Sequence, residues 1–235
     1  MKEYWHVILG VSLVLAALIF GMFFYSAKSG DDTIRVVGSA TKSFESDVIK
    51  WRVTVSRASN RTELSKDYAL LQKNVEDFIA FLKEKGLQEN EISQQPINIQ
   101  QMAGEYGKMS TDYSITQGLF VISTSIPLVE KLALDPSVLF EKGVVLQWSN
   151  LEYYVSKLPE IKAKLLADAT KDARNRAEEM ANSMIVKVGK LISLRAGVIQ
   201  ITEPFSTEVS DYGMYSTSTK QKDISVTVTV VFRIK

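Results

Sequence analysis

Acid–base or nucleophilic chemistry in this sequence would depend on its serine, threonine, lysine and carboxylate side chains, which are plentiful. The single histidine is His6, and the absence of cysteine excludes disulfides, thiolate metal sites and cysteine nucleophiles. The sequence contains no G-x-S-x-G and no phosphate-binding glycine motif. It also lacks EF-hand spacing, so a metal site would have to consist of carboxylates alone. We therefore predict that the protein is not an enzyme and that it binds no cofactor or metal.

Asp31-Asp32 and Glu178-Glu179 are pairs of adjacent carboxylates that could be considered for acid–base chemistry. Neighbouring residues on a helix point about 100° apart, so Glu178 and Glu179 cannot converge on one substrate. Both pairs are interpreted as solvated surface. A hydrolase that uses serine or carboxylates would need a cluster of groups with perturbed pKa values, and the sequence shows none.

Tyrosine and methionine side chains are concentrated in two polar segments, which are predicted to be long loops. The candidate interaction residues are Tyr106, Met109, Tyr113, Tyr212, Met214 and Tyr215. Side chains of these types are enriched at protein interfaces, but they could equally cover their own hairpins. The same two interpretations hold for four aromatic residues of the predicted strands, with the core or a sheet face preferred over a subunit contact: Trp51, Trp148, Tyr153 and Tyr154.

The first element of the chain is the apolar segment Val7–Tyr25, which carries no charge. A helix of this length spans roughly 28 Å, close to the ~30 Å hydrocarbon core of a bilayer. The segment is longer than the core of a signal peptide, and Tyr25 stands where cleavage favours a small residue. It is apolar all round, unlike a buried core helix with one polar face. An uncleaved signal-anchor therefore fits best, with a cleaved signal peptide as the alternative.

The short N-terminal tail is easier to leave in the cytoplasm, so the body is expected outside it. We predict a cytoplasmic tail at 1–6, a transmembrane signal-anchor at 7–27, a linker at 28–32 and a periplasmic body at 33–235, with possible halves at 33–126 and 127–235. This organisation indicates a single-pass membrane protein, in contact with the lipid bilayer through Val7–Tyr25.

The charge of the predicted body is balanced. The chain has 28 basic and 27 acidic residues, and without Lys2, Lys28 and Glu3 the body retains 26 of each. Binding of nucleic acid depends on neutralising phosphates with basic side chains. A neutral body without basic runs therefore argues against nucleic acid as a partner.

Hydrophobic periodicity predicts an α+β body in which antiparallel or mixed sheets pack with two long helices. The helices are predicted at 62–85 and 158–184, and a short interrupted helix at 127–142. The second long helix is rich in alanine, so a neighbouring element must approach its backbone closely. Strands are predicted at 33–40, 47–58, 93–102, 113–126, 144–155, 191–202 and 223–235. Gly38 in the first strand is expected to mark a bulge or kink.

The order strand–helix–strand–loop–strand occurs twice, which suggests a duplicated β-α-β-β unit. The two loops contain related strings, Glu105–Thr111 and Asp211–Thr217. Coincidence is the alternative, because tyrosine, glycine and serine are common loop residues. Equal strand orders in the two copies would support duplication, and different orders would contradict it.

Several short motifs follow one another along 33–235. Val36–Ala40 partly matches a V-x-G-x-G opening strand and Asp47 a Pro-Asp, although Ala40 and Ser46 replace the second glycine and the proline. The later helix matches A-x-x-D-A-x-x-K-A-x-x-[LM]-A best, with Arg176 at the lysine position. Weaker matches are Asn74, Leu82-Lys83, Gly86-Leu87 and Glu91–Ser93, and Val226–Phe232 is similar to a V-x-V-x-V-x-F ending. The ordered set resembles the SIMPL-domain family, mostly bacterial envelope proteins.

The resemblance implies a bacterial protein whose anchor lies in the cytoplasmic (inner) membrane and whose α+β body lies outside the cytoplasm. Relatives form ring-like oligomers, and some are linked to oxidative-stress defence or are surface antigens, so it also implies a homo-oligomer. It supplies no catalytic residues. We expect a membrane-anchored, non-enzymatic envelope protein that acts by oligomeric assembly or protein contact. The alternative is an extracytoplasmic module that binds a small molecule or peptide.

Overall fold

The computed structural model describes residues 4–28, 32–103 and 109–235. Its helices are α1 (Trp5–Lys28), α2 (Leu64–Glu84), α3 (Ile126–Leu134), α4 (Ser137–Glu141) and α5 (Leu158–Ser183). Its strands are β1 (Thr33–Glu45), β2 (Val48–Asn60), β3 (Ile92–Ala103), β4 (Met109–Ser123), β5 (Val145–Tyr154), β6 (Val188–Ala196), β7 (Gln200–Thr202), β8 (Met214–Tyr215) and β9 (Gln221–Ile234). The predicted α+β class is confirmed.

Helix α1 is long and apolar enough to cross a membrane. Its segment Val7–Tyr25 has a mean hydropathy of 2.7, and none of this segment is buried inside the protein. A helix with these properties could serve as a membrane anchor or as a signal peptide. Its bounds agree with those predicted from the sequence.

The chain folds into two compact units. The first unit comprises Met1–Ser39, Leu166–Gly197 and Thr227–Lys235, and the second comprises Ala40–Leu165 and Val198–Val226. Elements β1, α5 and β9 contribute residues to both units.

The second unit contains a four-stranded antiparallel sheet in the order β3-β4-β2-β5. Every second residue of β2 from Ile49 to Val55 is buried, because alternate side chains of a strand point to the same face. Trp51 lies in this core with its ring 5.7 Å from that of Phe78 of α2. Strand β3 is an edge strand, as the polar sequence around Pro96 predicts.

Helix α2 is bounded as its sequence predicts, with one adjustment at the start. The Asn60 side chain accepts hydrogen bonds from the backbone N–H groups of Thr62 and Glu63, so it closes a turn just ahead of the first helical residue. At the other end Gly86 has φ +108, and Leu87 N–H donates to the Leu82 carbonyl. This is the hydrogen bond of a Schellman C-cap, which requires a left-handed residue at the glycine position.

The other sheet has five strands in the order β1-β9-β7-β8, with β6 also paired to β9. The predicted strand at 191–202 is divided into β6 and β7. A Cβ atom added to Gly197 would lie 2.8 Å from the Thr227 hydroxyl, so the chain passes too close to β9 for a side chain at that point.

The order of the strands in the two sheets contradicts the duplicated β-α-β-β unit that the sequence suggested. Strands β2, β3 and β4 of the first copy share one sheet. In the second copy β5 pairs with β2, whereas β6 and β9 belong to the other sheet. The repeated order of elements along the chain therefore does not reflect a repeated sheet.

Candidate functional site

The first unit is built on a very close contact between α5 and β1. A Cβ atom added to Gly38 would lie 2.3 Å from the Ala169 carbonyl oxygen and 2.4 Å from the Ala173 nitrogen. The alanine stripe of α5 therefore packs backbone against backbone on this strand, which is why both sides carry minimal side chains. Gly38 provides this close approach, whereas the sequence interpretation assigned it to a bulge or kink.

An apolar cleft of about 590 Å³ lies in the same unit. Val230 and Phe232 of β9 are buried at its base, and Leu191 and Leu194 of β6 form a half-exposed wall. The facing side consists of α5 residues Leu166, Ala167, Thr170, Lys171 and Arg174. Its lining is mainly aliphatic, with two cationic side chains on the helix.

The polar groups of the cleft do not form a catalytic arrangement. The Thr170 hydroxyl donates to the Leu166 carbonyl within the helix at 2.7 Å. Arg174 forms an ion pair with Glu178 at 2.9 Å, one turn further along the helix. Lys171 has no ion-pair partner among the described residues and is exposed. The arrangement suits an apolar contact with a positive charge beside it.

Strand β6 presents apolar side chains to solvent along one side of this cleft. Leu191 is 54%, Ile192 47% and Leu194 45% exposed. Within the described parts of the chain β6 pairs only with β9. Its second edge therefore has unpaired backbone donors and acceptors, which can add a further strand. The sequence carried a signal for this surface, because leucine and isoleucine occupy both faces of 191–194.

The predicted interaction residues do not all belong to one element. Tyr106 lies outside the described residues, and so does the side chain of Met109. Tyr113 is half-buried in β4, opposite Ser59 of β2 and Gln101 of β3. Tyr113 is therefore part of a sheet and not of a loop.

The other three candidates lie in the segment between β7 and β9. Tyr212 is 97% exposed, whereas Met214 and Tyr215 form the short strand β8 beside β7. The Tyr215 ring stacks on that of Tyr154 at 6.0 Å, and burial raises the pKa of the Tyr215 hydroxyl. Tyr212 is thus the described member of the group that is free to contact a partner.

The four aromatic residues of the strands divide in the same way. Trp51 and Tyr153 are buried core residues. Burial and the adjacent Glu130 carboxylate raise the pKa of Tyr153 to about 12. Tyr154 is half-buried on a sheet face, and Trp148 remains 46% exposed beneath the Arg52 guanidinium. The core or sheet-face interpretation therefore holds for Trp51, Tyr153 and Tyr154.

A buried lysine, which the sequence analysis did not single out, fixes the segment that carries Tyr212. The Lys222 ammonium donates to the backbone carbonyls of Ser216 at 2.7 Å and Thr219 at 2.6 Å. Its residue is fully buried, and this burial lowers the pKa of Lys222 to about 8, partly offset by Glu203. The Glu203 carboxylate also accepts hydrogen bonds from Ser216 and Ser218. Lys222 is thus committed to holding this segment.

The described residues contain no group of three histidine, cysteine, aspartate or glutamate side chains that could hold a metal ion. Hydrogen bonds within the fold lower the pKa values of several aspartate carboxyl groups. For example, the hydrogen bond from Arg57 lowers the pKa of Asp67 and joins β2 to α2.

Comparison with known families agrees with these features. The family model SIMPL, described as a protein of unknown function (DUF541), matches residues 34–232. The chain therefore belongs to the SIMPL family. No curated protein matches its sequence.

Proposed function

We propose that this SIMPL protein is a non-enzymatic component of a bacterial envelope, anchored by α1 and active through assembly with further copies of itself. The observation that carries this proposal is the apolar, unpaired strand β6 in the first unit. Exposed apolar strand edges promote association unless they are short, charged or covered, and in β6 the segment Leu191–Leu194 between Lys190 and Arg195 is uncharged. An exposed apolar edge of this kind is typical of a strand that pairs with a partner, and a second copy of the chain has the same edge available for pairing.

The anchor favours assembly through this edge. Helix α1 confines the chain to a membrane plane, which raises the local concentration of copies and restricts their orientation. The uncovered residues Leu191 and Leu194 would lose their contact with water in such a pair. Full burial of an aliphatic side chain contributes about 1.5–3 kcal/mol, so covering the exposed half of Leu191 or Leu194 contributes about half of that. The anchor lowers the entropic cost that these contacts must exceed.

The native mass of the full chain in detergent tests the proposal. We expect several subunits for the wild type, and a shift to monomer for the double variant Leu191→Glu/Leu194→Glu. A matched control is Ile122→Glu/Val145→Glu, because these residues of the second unit are 48% and 53% exposed. The control should keep the wild-type mass. Equal masses of both variants and the wild type would remove β6 from the interface.

The tyrosine-bearing segments are the competing contact surface. Tyr106→Ser/Tyr212→Ser removes the two predicted loop contacts in one chain. A loss of assembly in this variant, with a normal far-UV spectrum and an unaffected Leu191→Glu/Leu194→Glu variant, would move the interface from β6 to the loops. An unchanged mass would remove the loops from it.

A second function, a binding module for a small molecule or peptide, is favoured by the cleft. Its volume of about 590 Å³ falls within the ~300–1,000 Å³ range of ligand sites. Titration with an anionic apolar dye such as anilinonaphthalene sulfonate tests it, with Val230→Ala as a cavity-enlarging variant. Saturable binding at one site per chain would support this function. Binding that is absent, or unaffected by the cleft variant, would contradict it.

The cellular location and role belong to the same proposal. We propose that the body lies outside the cytoplasm, as the family resemblance implies, and a phosphatase fused to Lys235 should then be active. A stress-related role rests on the family resemblance alone. Growth of a deletion strain under peroxide tests it, and unimpaired growth would count against it.

A further inference from the structure

One end of the first unit is tied to the end of the proposed anchor. Helix α1 ends at Lys28 and β1 begins at Thr33. A chain of four residues spans at most about 14 Å. Asp32 therefore lies within that distance of Lys28, wherever the intervening residues run.

The same end of the sheet contains the start of β6. The Ile234 N–H donates to the Asp32 carbonyl at 2.8 Å, which joins the end of β9 to the start of β1. Lys187 and Lys235 exchange two backbone hydrogen bonds of 2.9 Å, and Val188 pairs with Ile234. The turn between α5 and β6, Met184–Lys187, thus projects from the end of the sheet at which the anchor is attached.

This turn has two features that are costly for a soluble surface. Ile185 is 95% exposed, and Met184 beside it is 58% exposed. Ile185 also has φ +58, a left-handed conformation that is strongly unfavourable for a β-branched residue. Such conformations persist where the surrounding structure imposes them, and they direct attention to function. Here the strained backbone holds an isoleucine almost completely outside the protein.

The charges around the turn complement an anionic surface. Lys187 and Lys190 are exposed and follow the apolar pair in the chain, and Asp32 at the same end of the sheet carries one opposing charge. Apolar side chains that enter the interface, together with lysines at the level of the headgroups, are typical of segments that rest on membranes.

We infer that the turn Met184–Lys187 inserts into the outer surface of the membrane that holds α1, with Lys187 and Lys190 on anionic lipid headgroups. This inference rests on the proposed anchor. The bilayer extends about 5–8 Å beyond its hydrocarbon core on each side, and α1 continues three residues, about 4.5 Å, past Tyr25. The tether then keeps Asp32 within about 14 Å of the headgroup layer. The turn would be a second membrane contact, besides α1, and would fix the orientation of the first unit on the bilayer.

The absence of native cysteine allows a direct test with single labelled sites in the full chain. Ile185→Cys carries an environment-sensitive fluorophore, and the reconstituted protein is compared in vesicles with and without doxyl quenchers on the lipid chains. Ala196→Cys is the matched control, because it is exposed on the same β6 and pairs with Val228, about 20 Å along β9 from Ile234. Met184→Cys serves as a second probe of the turn.

We expect at least twofold quenching at positions 184 and 185 and less than a tenth at position 196. Quenching at the turn should be stronger in vesicles that contain phosphatidylglycerol than in vesicles of phosphatidylcholine alone. Lys187→Gln/Lys190→Gln should abolish this difference. No quenching at either turn position, or equal quenching at position 196, would overturn the inference. The intact mass and the native mass of the same sample separate the two proposals. Loss of α1 overturns both, whereas a monomer with a quenched turn contradicts only the assembly.

Discussion

The substitution Gly38→Ala tests the contact on which the first unit depends. The new methyl group would lie 2.3 Å from the Ala169 oxygen, 2.4 Å from the Ala173 nitrogen and 2.6 Å from the Ala173 Cβ. Ordinary contacts begin near 3.4 Å, so α5 would have to move away from β1 by roughly 1 Å.

Overpacking of a close-packed site costs about 1–3 kcal/mol, and the three contacts at Gly38 include two rigid backbone atoms, which places the loss at the upper end. The reduced freedom of the unfolded chain returns about 0.4–1 kcal/mol. We therefore expect Gly38→Ala to lower the free energy of unfolding by about 2–2.6 kcal/mol.

Urea unfolding of the full chain in mild detergent, followed by far-UV circular dichroism, measures the change. Gly118→Ala is the control, because its added Cβ would meet the flexible Gln95 side chain at 3.5 and 3.6 Å. The control should leave the free energy of unfolding unchanged or raise it by up to about 1 kcal/mol. Adding Ala173→Gly to Gly38→Ala should rescue only part of the loss, since the two backbone contacts remain.

Equal urea midpoints for Gly38→Ala and the wild type would contradict the close contact between β1 and α5. So would full rescue by Ala173→Gly, because the clash would then involve the methyl group alone and not the helix backbone.

The remaining predictions concern the second unit and the anchor. The pKa of Lys222 is about 8 in the folded protein and 10.5 in the unfolded chain, so the unfolded chain binds more protons above pH 8. The free energy of unfolding should therefore rise by up to about 3 kcal/mol towards pH 10. Lys222→Met should remove this rise in urea titrations. Because the pKa of Tyr153 is about 12 when folded and 10.0 when unfolded, the folded protein binds more protons above pH 10, so stability should fall there, and less steeply in Tyr153→Phe. Gly86→Ala should lower the free energy of unfolding by about 1–2 kcal/mol, and Gly86→Asn by less, because φ +108 disfavours a side chain; equal effects would contradict the assigned cap. Intact mass of the mature protein should retain residues 1–27, and cleavage after Ala27 would contradict the anchor.

The periodic elements were predictable from the sequence because local patterns determine them. The apolar run at 7–25, the stripe of α2 and the alternation in β9 each specify one element, and the structure has them within a few residues of the predicted bounds. The alanine-rich face of α5 also predicted a close neighbour. Its identity did not follow, because Gly38 meets Ala169 only through contacts across more than a hundred residues of chain.

The sheet partners and the cleft were beyond local reasoning. Strand β5 has the same pattern whether it pairs with β2 or with β9, so the duplicated order of elements suggested a repeat that the pairing contradicts. The burial of Lys222 could not be predicted from the sequence, because its two carbonyl partners belong to a segment without periodicity. The exposure of Leu191 and Leu194 depends on how much of the sheet α5 covers. That quantity follows from packing and not from the sequence of β6.

The native mass of the whole chain, extracted intact with α1 and measured by light scattering in detergent, is the most direct test of assembly through β6. Assembly through β6 predicts a particle of several 26.3 kDa chains that becomes monomeric in Leu191→Glu/Leu194→Glu and not in Ile122→Glu/Val145→Glu. A wild-type particle that is monomeric both in detergent and in lipid nanodiscs would contradict it.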